Sequence, residues 1–109
     1  MELKPGELWW AKPDATVGRE QSGRRPVVIV ANEKYLQTMD TLALVVPVTT
    51  KARGWINHIA LDPSCGLQAL SYAMTEQVRV ISRDRLHAPI GAVSQAELRL
   101  IRNFIQRFI

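Results

Sequence analysis

The run Val27-Val28-Ile29-Val30-Ala31 is apolar at every position. A strand sends successive side chains to opposite faces, so this segment needs cover on both sides and reads as a central strand. The residues just before it have the opposite character. Val17-Gly18-Arg19-Glu20-Gln21-Ser22-Gly23-Arg24-Arg25-Pro26 is a polar loop framed by glycines that ends on paired arginines. The residue before a proline is held extended, which places Arg25 at the root of the strand. A permanently charged planar fork on a rigid base suits phosphate recognition. The same loop also reads as a solvated hairpin tip.

Around this strand the chain alternates short apolar runs with turn signals. Glu7-Leu8-Trp9-Trp10-Ala11-Lys12 reads as a first strand, with Trp9 and Trp10 on opposite faces. One tryptophan can fill the core, and the other is left for a second layer, a partner or a ligand. Residues 32–41 read as a loop with a short helical turn. Thr41 to Val48 is a third strand, in which Pro47 cannot donate to a ladder and marks an edge, bulge or bend. Ile56 to Asp62 alternates, with Ile59 and Leu61 on one face and His58 on the other. Further strands are expected over Gln68–Met74 and Gln77–Ile81. Ser94-Gln95-Ala96-Glu97 is a capping box. Leu98, Ile101, Ile105 and Phe108 then recur at helical spacing. The expected fold is mainly β with appended helices: a strongly curved antiparallel sheet or small barrel, closed off by a C-terminal helix from about residue 95.

At 109 residues the chain is expected to form one domain over residues 1–109. Such a domain buries about two thirds of its unfolded surface, enough to fold without a staple. A single cysteine, Cys65, excludes an intrachain disulfide and fits a reducing compartment. Met1 to Gly6 has no apolar signal segment, and no apolar run is long enough to cross a bilayer, so a cytoplasmic location is expected. Fourteen Lys and Arg against ten Asp and Glu give a net charge of +4, and ten of the cations are arginine. That balance favours polyanionic partners.

A second polar cluster, Thr49-Thr50-Lys51-Ala52-Arg53-Gly54-Trp55, leaves the end of the third strand. If strands two and three are antiparallel neighbours, Arg25 and Thr49 meet at one rim beside the glycine loop. The sequence has no metal-ligand spacing, phosphate-binding glycine loop or nucleophile elbow. His58 and His87 lie in unrelated contexts. Cleavage of an RNA phosphodiester fits such a rim, because the RNA's own 2′-hydroxyl can be the nucleophile. The protein then helps remove that proton, protonates the leaving 5′-oxygen and stabilises charge on phosphorus. Arg25 suits charge stabilisation, Thr49 suits donation to a non-bridging oxygen, and Glu20 is the natural base.

These segments resemble the MazF/PemK family of toxin endoribonucleases. The resemblance is carried by Glu7-Leu8-Trp9, by Asp14 through Val28 and by Val46-Pro47-Val48-Thr49-Thr50. Gly66-Leu67, Glu76-Gln77-Val78-Arg79 and Arg85-Leu86 continue it in order along nearly the whole chain. The resemblance implies a CcdB-like fold built on an SH3-like barrel. It also implies a homodimer that cuts single-stranded RNA without metal or other cofactor and is neutralised by a cognate antitoxin. By position it makes Arg25 and Thr49 the catalytic pair, with Glu20 assisting. Arg19, Gln21, Ser22, Gly23, Arg24, Thr50, Lys51, Arg53 and Gln77 would contact RNA. Where some members carry an arginine–aspartate pair, this chain has Met74 and Glu76. Trp55 either stacks on a base or anchors the core. Two other functions fit the same outline: a CcdB-like gyrase poison and a non-catalytic RNA-binding module. The ending Gln106-Arg107-Phe108-Ile109 lacks the Trp-Gly-Ile on which gyrase poisoning depends.

Overall fold

A computed structural model of the chain describes residues 2–12 and 24–109. Its strands are β1 (Glu7–Ala11), β2 (Arg25–Ile29), β3 (Leu42–Thr49), β4 (His58–Leu61), β5 (Ser71–Met74), β6 (Arg79–Ser82) and β7 (Leu86–Ala92). Helix α1 (Glu33–Thr38) lies between β2 and β3, and α2 (Gln95–Arg107) follows β7. The strands pair antiparallel in the order β4-β5-β3-β2-β1-β7, with β6 also on β3. β4 and β7 are the two ends of that path, so the sheet curves without closing into a barrel among the described residues.

β2 is covered on both faces, as its uninterrupted apolar run requires. Val28 and Val30 join Leu8, Val46 and Val48 beneath Leu98, Ile101 and Phe104 of α2. Val27 and Ile29 join Ala11, Ala43 and Val45 on the other face, against Leu36 of α1, Ile81 and Leu86. Pro47 lies within a central strand where β3 changes partner: Leu42 to Val45 pair with β6, and Val48 and Thr49 pair with β5. A residue with no N–H is tolerated at such a break in the ladder.

α2 starts where the capping box predicts. Ser94 Oγ accepts the Glu97 N–H at 3.0 Å, and Glu97 Oε1 accepts the Ser94 N–H at 2.8 Å. Glu97 Oε2 also accepts the Asp62 N–H at 2.7 Å, which ties the helix to the end of β4. From the middle of α2, Arg102 donates to the Val30 and Ala31 carbonyls at 3.0 and 3.2 Å.

β7 is the element that the sequence pattern conceals. Its run Leu86-His87-Ala88-Pro89-Ile90-Gly91-Ala92 carries a proline and a glycine, both of which argue against a strand. It is nevertheless an outer strand, paired with β1 through two register shifts. An outer strand with irregular pairing is where such residues are accommodated.

Candidate active site

The register between β2 and β3 sets the geometry. Val27 pairs with Pro47 and Val28 with Val46. Continuing that antiparallel register by two residues aligns Arg25 with Thr49, on the same face as Val27 and Pro47. Arg25 is exposed and Thr49 half-buried. This face opens into a groove of about 240 Å³ lined by Lys12, Arg25, Pro47, Met74, Gln77 and Arg79. Three cations therefore converge on one concave surface whose floor is the apolar sheet.

Thr49 Oγ1 accepts the Lys51 N–H at 3.1 Å. A hydroxyl engaged as an acceptor keeps its proton free to donate elsewhere. Lys51 and Arg53 follow on the exposed segment leading to β4.

The residues expected to contact RNA are divided between the two faces of the sheet. Thr50 points away from Thr49 and lines a second, more apolar cavity of about 690 Å³ with Trp10, Pro26, Leu67, Gln68 and Ile90. The Arg24 guanidinium lies 4.9 Å from the centre of the Trp10 ring, placing Arg24 with this second cavity. Trp10 is thus the tryptophan left for another layer or partner. Trp9 packs against the opposite cluster and donates its indole N–H to Glu7 Oε1 at 3.1 Å. Arg25, Thr49 and Gln77 share one face, while Arg24 and Thr50 belong to the other. Arg19, Glu20, Gln21, Ser22 and Gly23 lie outside the described residues.

A polar centre beside the groove was not anticipated from sequence. His58 is 8% exposed, and its Nε2 lies 3.0 and 3.1 Å from the two carboxylate oxygens of Glu76. Asn57 donates to Glu76 Oε1 at 2.7 Å, and Gln77 donates to Glu76 Oε2 at 3.4 Å. Burial pushes the Glu76 carboxyl up. Hydrogen bonds from His58, its own backbone and Gln77, together with the His58 charge, outweigh burial and hold the pKa below its ordinary 4.5. Trp55 is not a core anchor: it is 51% exposed and packs tilted against His58 with ring centres 4.8 Å apart. The available signal was pairing rather than motif. β4 and β5 match His58 with Met74, which leaves Glu76 two residues beyond the end of the ladder.

Among the described residues, no three His, Cys, Asp or Glu side chains gather as a metal-ligand set. No helix among them is long and apolar enough to cross a membrane.

Residues 4–109 match the family of PemK-like, MazF-like toxins of type II toxin–antitoxin systems. Over 102 residues the chain is 37% identical to endoribonuclease MazF9 of Mycobacterium tuberculosis, spanning 88% of this chain and 86% of that protein. It is 34% identical to the endoribonuclease toxin MazF of Escherichia coli K12, spanning 89% and 85% of the two chains. Its fold matches MazF in a MazE–MazF crystal structure from Deinococcus radiodurans with a TM-score of 0.83, at 22% identity and over 99% and 96% of the two chains. The chain belongs to the PemK-like, MazF-like toxins of type II toxin–antitoxin systems.

Proposed function

We propose that this chain is a sequence-specific endoribonuclease toxin that cuts single-stranded RNA and thereby arrests translation and growth. One observation carries the reading: the β2–β3 register, continued by two residues, aligns Arg25 with Thr49, and Arg25 lines a groove with Lys12 and Arg79. Relatives at 34–37% identity that are named endoribonucleases support it.

The RNA's 2′-hydroxyl attacks the adjacent phosphorus as the bond from phosphorus to the 5′-oxygen breaks, leaving a 2′,3′-cyclic phosphate. The departing 5′-oxygen takes a proton from water to become the 5′-hydroxyl end. Charge accumulates on the non-bridging oxygens as the bond forms. The Arg25 guanidinium is permanently charged and neutralises that charge without a change in its own protonation. The Thr49 hydroxyl donates to a second oxygen of the same phosphorus. Glu20 is assigned as the base that takes the 2′-hydroxyl proton. Arg19, Gln21, Ser22 and Gly23 from the same loop contact RNA, as do Lys51, Arg53 and Gln77. Arg24 and Thr50 contact it from the opposite face. No step requires a metal ion.

The working molecule is a cytoplasmic homodimer of single-domain chains spanning residues 1–109, held inactive by a cognate antitoxin protein. The deciding experiment is incubation of the purified protein with a defined transcript in the presence of a chelator. Fragments ending in 2′,3′-cyclic phosphate are expected, with loss of cutting in both Arg25→Ala and Thr49→Ala. Retention of full activity in both variants would remove the assigned roles. Tight, salt-sensitive RNA binding without turnover would leave only a binding module.

A further inference from the structure

Trp55 is exposed, yet it is held in place more firmly than a loop tip requires. Residues 50–57 form no helix or strand, and Gly54 turns the chain at a φ of +75° just before the ring. From there hydrogen bonds pin Trp55, Asn57 and His58. The His58 N–H donates to the Trp55 carbonyl at 3.0 Å. The buried Thr75 hydroxyl donates to the Asn57 carbonyl at 2.9 Å. Glu76 then holds Asn57 and His58 through one carboxylate. The imidazole it fixes is the surface against which Trp55 leans. Such support around a half-exposed indole keeps a large apolar face in water, which stability alone would not favour.

Two further features point to what the face receives. The Arg53 guanidinium lies 5.8 Å from the centre of the ring, and the neighbouring Lys51 adds a second cation. Gln77, which contacts Glu76 and Met74, lines the Arg25 groove together with Met74. A chain of contacts, Trp55 to His58, His58 to Glu76 and Glu76 to Gln77, therefore links the aromatic ring to the groove. A flat ring flanked by cations matches the alternation of base and phosphate along an unpaired nucleic-acid strand.

We propose that Trp55 is the platform of an additional nucleobase subsite, on which an unpaired base outside the cleaved step stacks while Arg53 meets an adjoining phosphate. The inference rests on the endoribonuclease reading and extends it along the substrate. Every base offers a π face, so this subsite adds affinity and sets strand direction without selecting base identity. Glu76 and His58 are positioning residues that hold the platform.

The test begins with cut sites mapped on a defined transcript. An RNA oligonucleotide spanning one site is then made in versions that each replace one nucleotide outside the cleaved step by an abasic ribose. For the wild-type protein, one abasic position raises KM roughly tenfold or more with kcat unchanged, the size expected for one stacked base. Trp55→Ala shows the same rise on the intact oligonucleotide and no longer responds to that abasic position. Trp55→Phe recovers part of the affinity, which a folding defect would not explain. A wild-type protein that cuts RNA but gives the same scan as Trp55→Ala overturns the subsite and leaves the endoribonuclease reading intact. A wild-type protein that cuts nothing overturns both. Unchanged cleavage by Trp55→Ala with weakened antitoxin binding assigns the ring to a protein partner and also overturns the subsite.

Discussion

His58 and Glu76 lie eighteen positions apart in sequence, yet their side chains meet at 3.0 Å, with the imidazole almost fully buried. The carboxylate is the shared anchor of the β4 start and of the turn after β5, since it also accepts from Asn57 and Gln77. Its pKa is held below 4.5 because those bonds and the His58 charge outweigh burial. A carboxyl whose folded pKa is depressed adds stability above its unfolded pKa, and that stability is lost as pH falls through the folded pKa. Glu76→Gln should therefore be less stable than wild type near neutral pH. The difference should shrink once the pH drops below the ordinary glutamate range. Urea unfolding of both proteins across that interval checks it; a gap independent of pH would show that Glu76 acts through shape and not charge.

Gly91 gives a second prediction, about packing. A Cβ at this position would sit 2.1 Å from the Cys65 carbonyl oxygen, a backbone atom that no side-chain rotation can move aside. Gly91→Ala should therefore push β7 away from the turn at Pro63–Cys65 and destabilise the fold by about 2 kcal/mol or more, at the upper end of overpacking costs. Gly54→Ala is the informative comparison. Nothing lies within 4 Å of its added methyl, so only the φ of +75° resists the change. Thermal unfolding should rank Gly91→Ala as clearly the more damaging.

The same glycine shows where the sequence was legible and where it was not. The all-apolar run after Pro26 predicted a doubly covered strand, and Val27 and Val28 do enter separate cores. Ser94 and Glu97 located the start of α2 because a capping box is a purely local device. β7 was missed because Pro89 and Gly91 are local signals for a break. What overrides them is pairing with β1, more than seventy residues earlier in the chain.

The candidate site was legible only in part, for the same reason. Arg25 and Thr49 each end or begin a recognisable strand, so a simple antiparallel assumption brought them together. Thr50 and Arg24 are expected to contact the same RNA as Arg25 and Thr49, yet strand alternation sends Thr50 to the other face, and Arg24 follows Trp10. The centre of His58 and Glu76 had no motif to announce it. It arises from the β4–β5 register, which no short window of sequence contains.

Arg102 carries a prediction about how α2 is attached. Its guanidinium satisfies the Val30 and Ala31 carbonyls, which lie just past the end of β2. Arg102→Met keeps much of the aliphatic stem but leaves both acceptors without their donor. Hydrogen bonds from charged donors contribute about 1.5–3 kcal/mol, so a loss on that order is expected. For a domain of this size it corresponds to a fall of several degrees or more in Tm. Arg102→Lys should recover only part, because one ammonium cannot reproduce the fork. Calorimetry of the three proteins gives the ranking; equal melting temperatures would mean that the apolar stripe alone holds the helix.

The alignment of Arg25 with Thr49 supports a stricter test of the proposed chemistry than either variant alone. Arg25 is exposed at the first position of β2 and Thr49 is half-buried at the last position of β3. Removing either functional group should therefore disturb folding little. Thr49→Val preserves shape while deleting the hydroxyl and its bond to the Lys51 N–H. If both groups act on one phosphorus, each single change should lower kcat on the order of a hundredfold, the usual effect of losing one transition-state donor. The double variant should then lose less than the product of the two, because groups that act as a unit are not additive. Single-turnover cleavage of one RNA oligonucleotide by the four proteins closes the cycle. Losses that multiply, within error, would mean that the guanidinium and the hydroxyl serve different parts of the substrate.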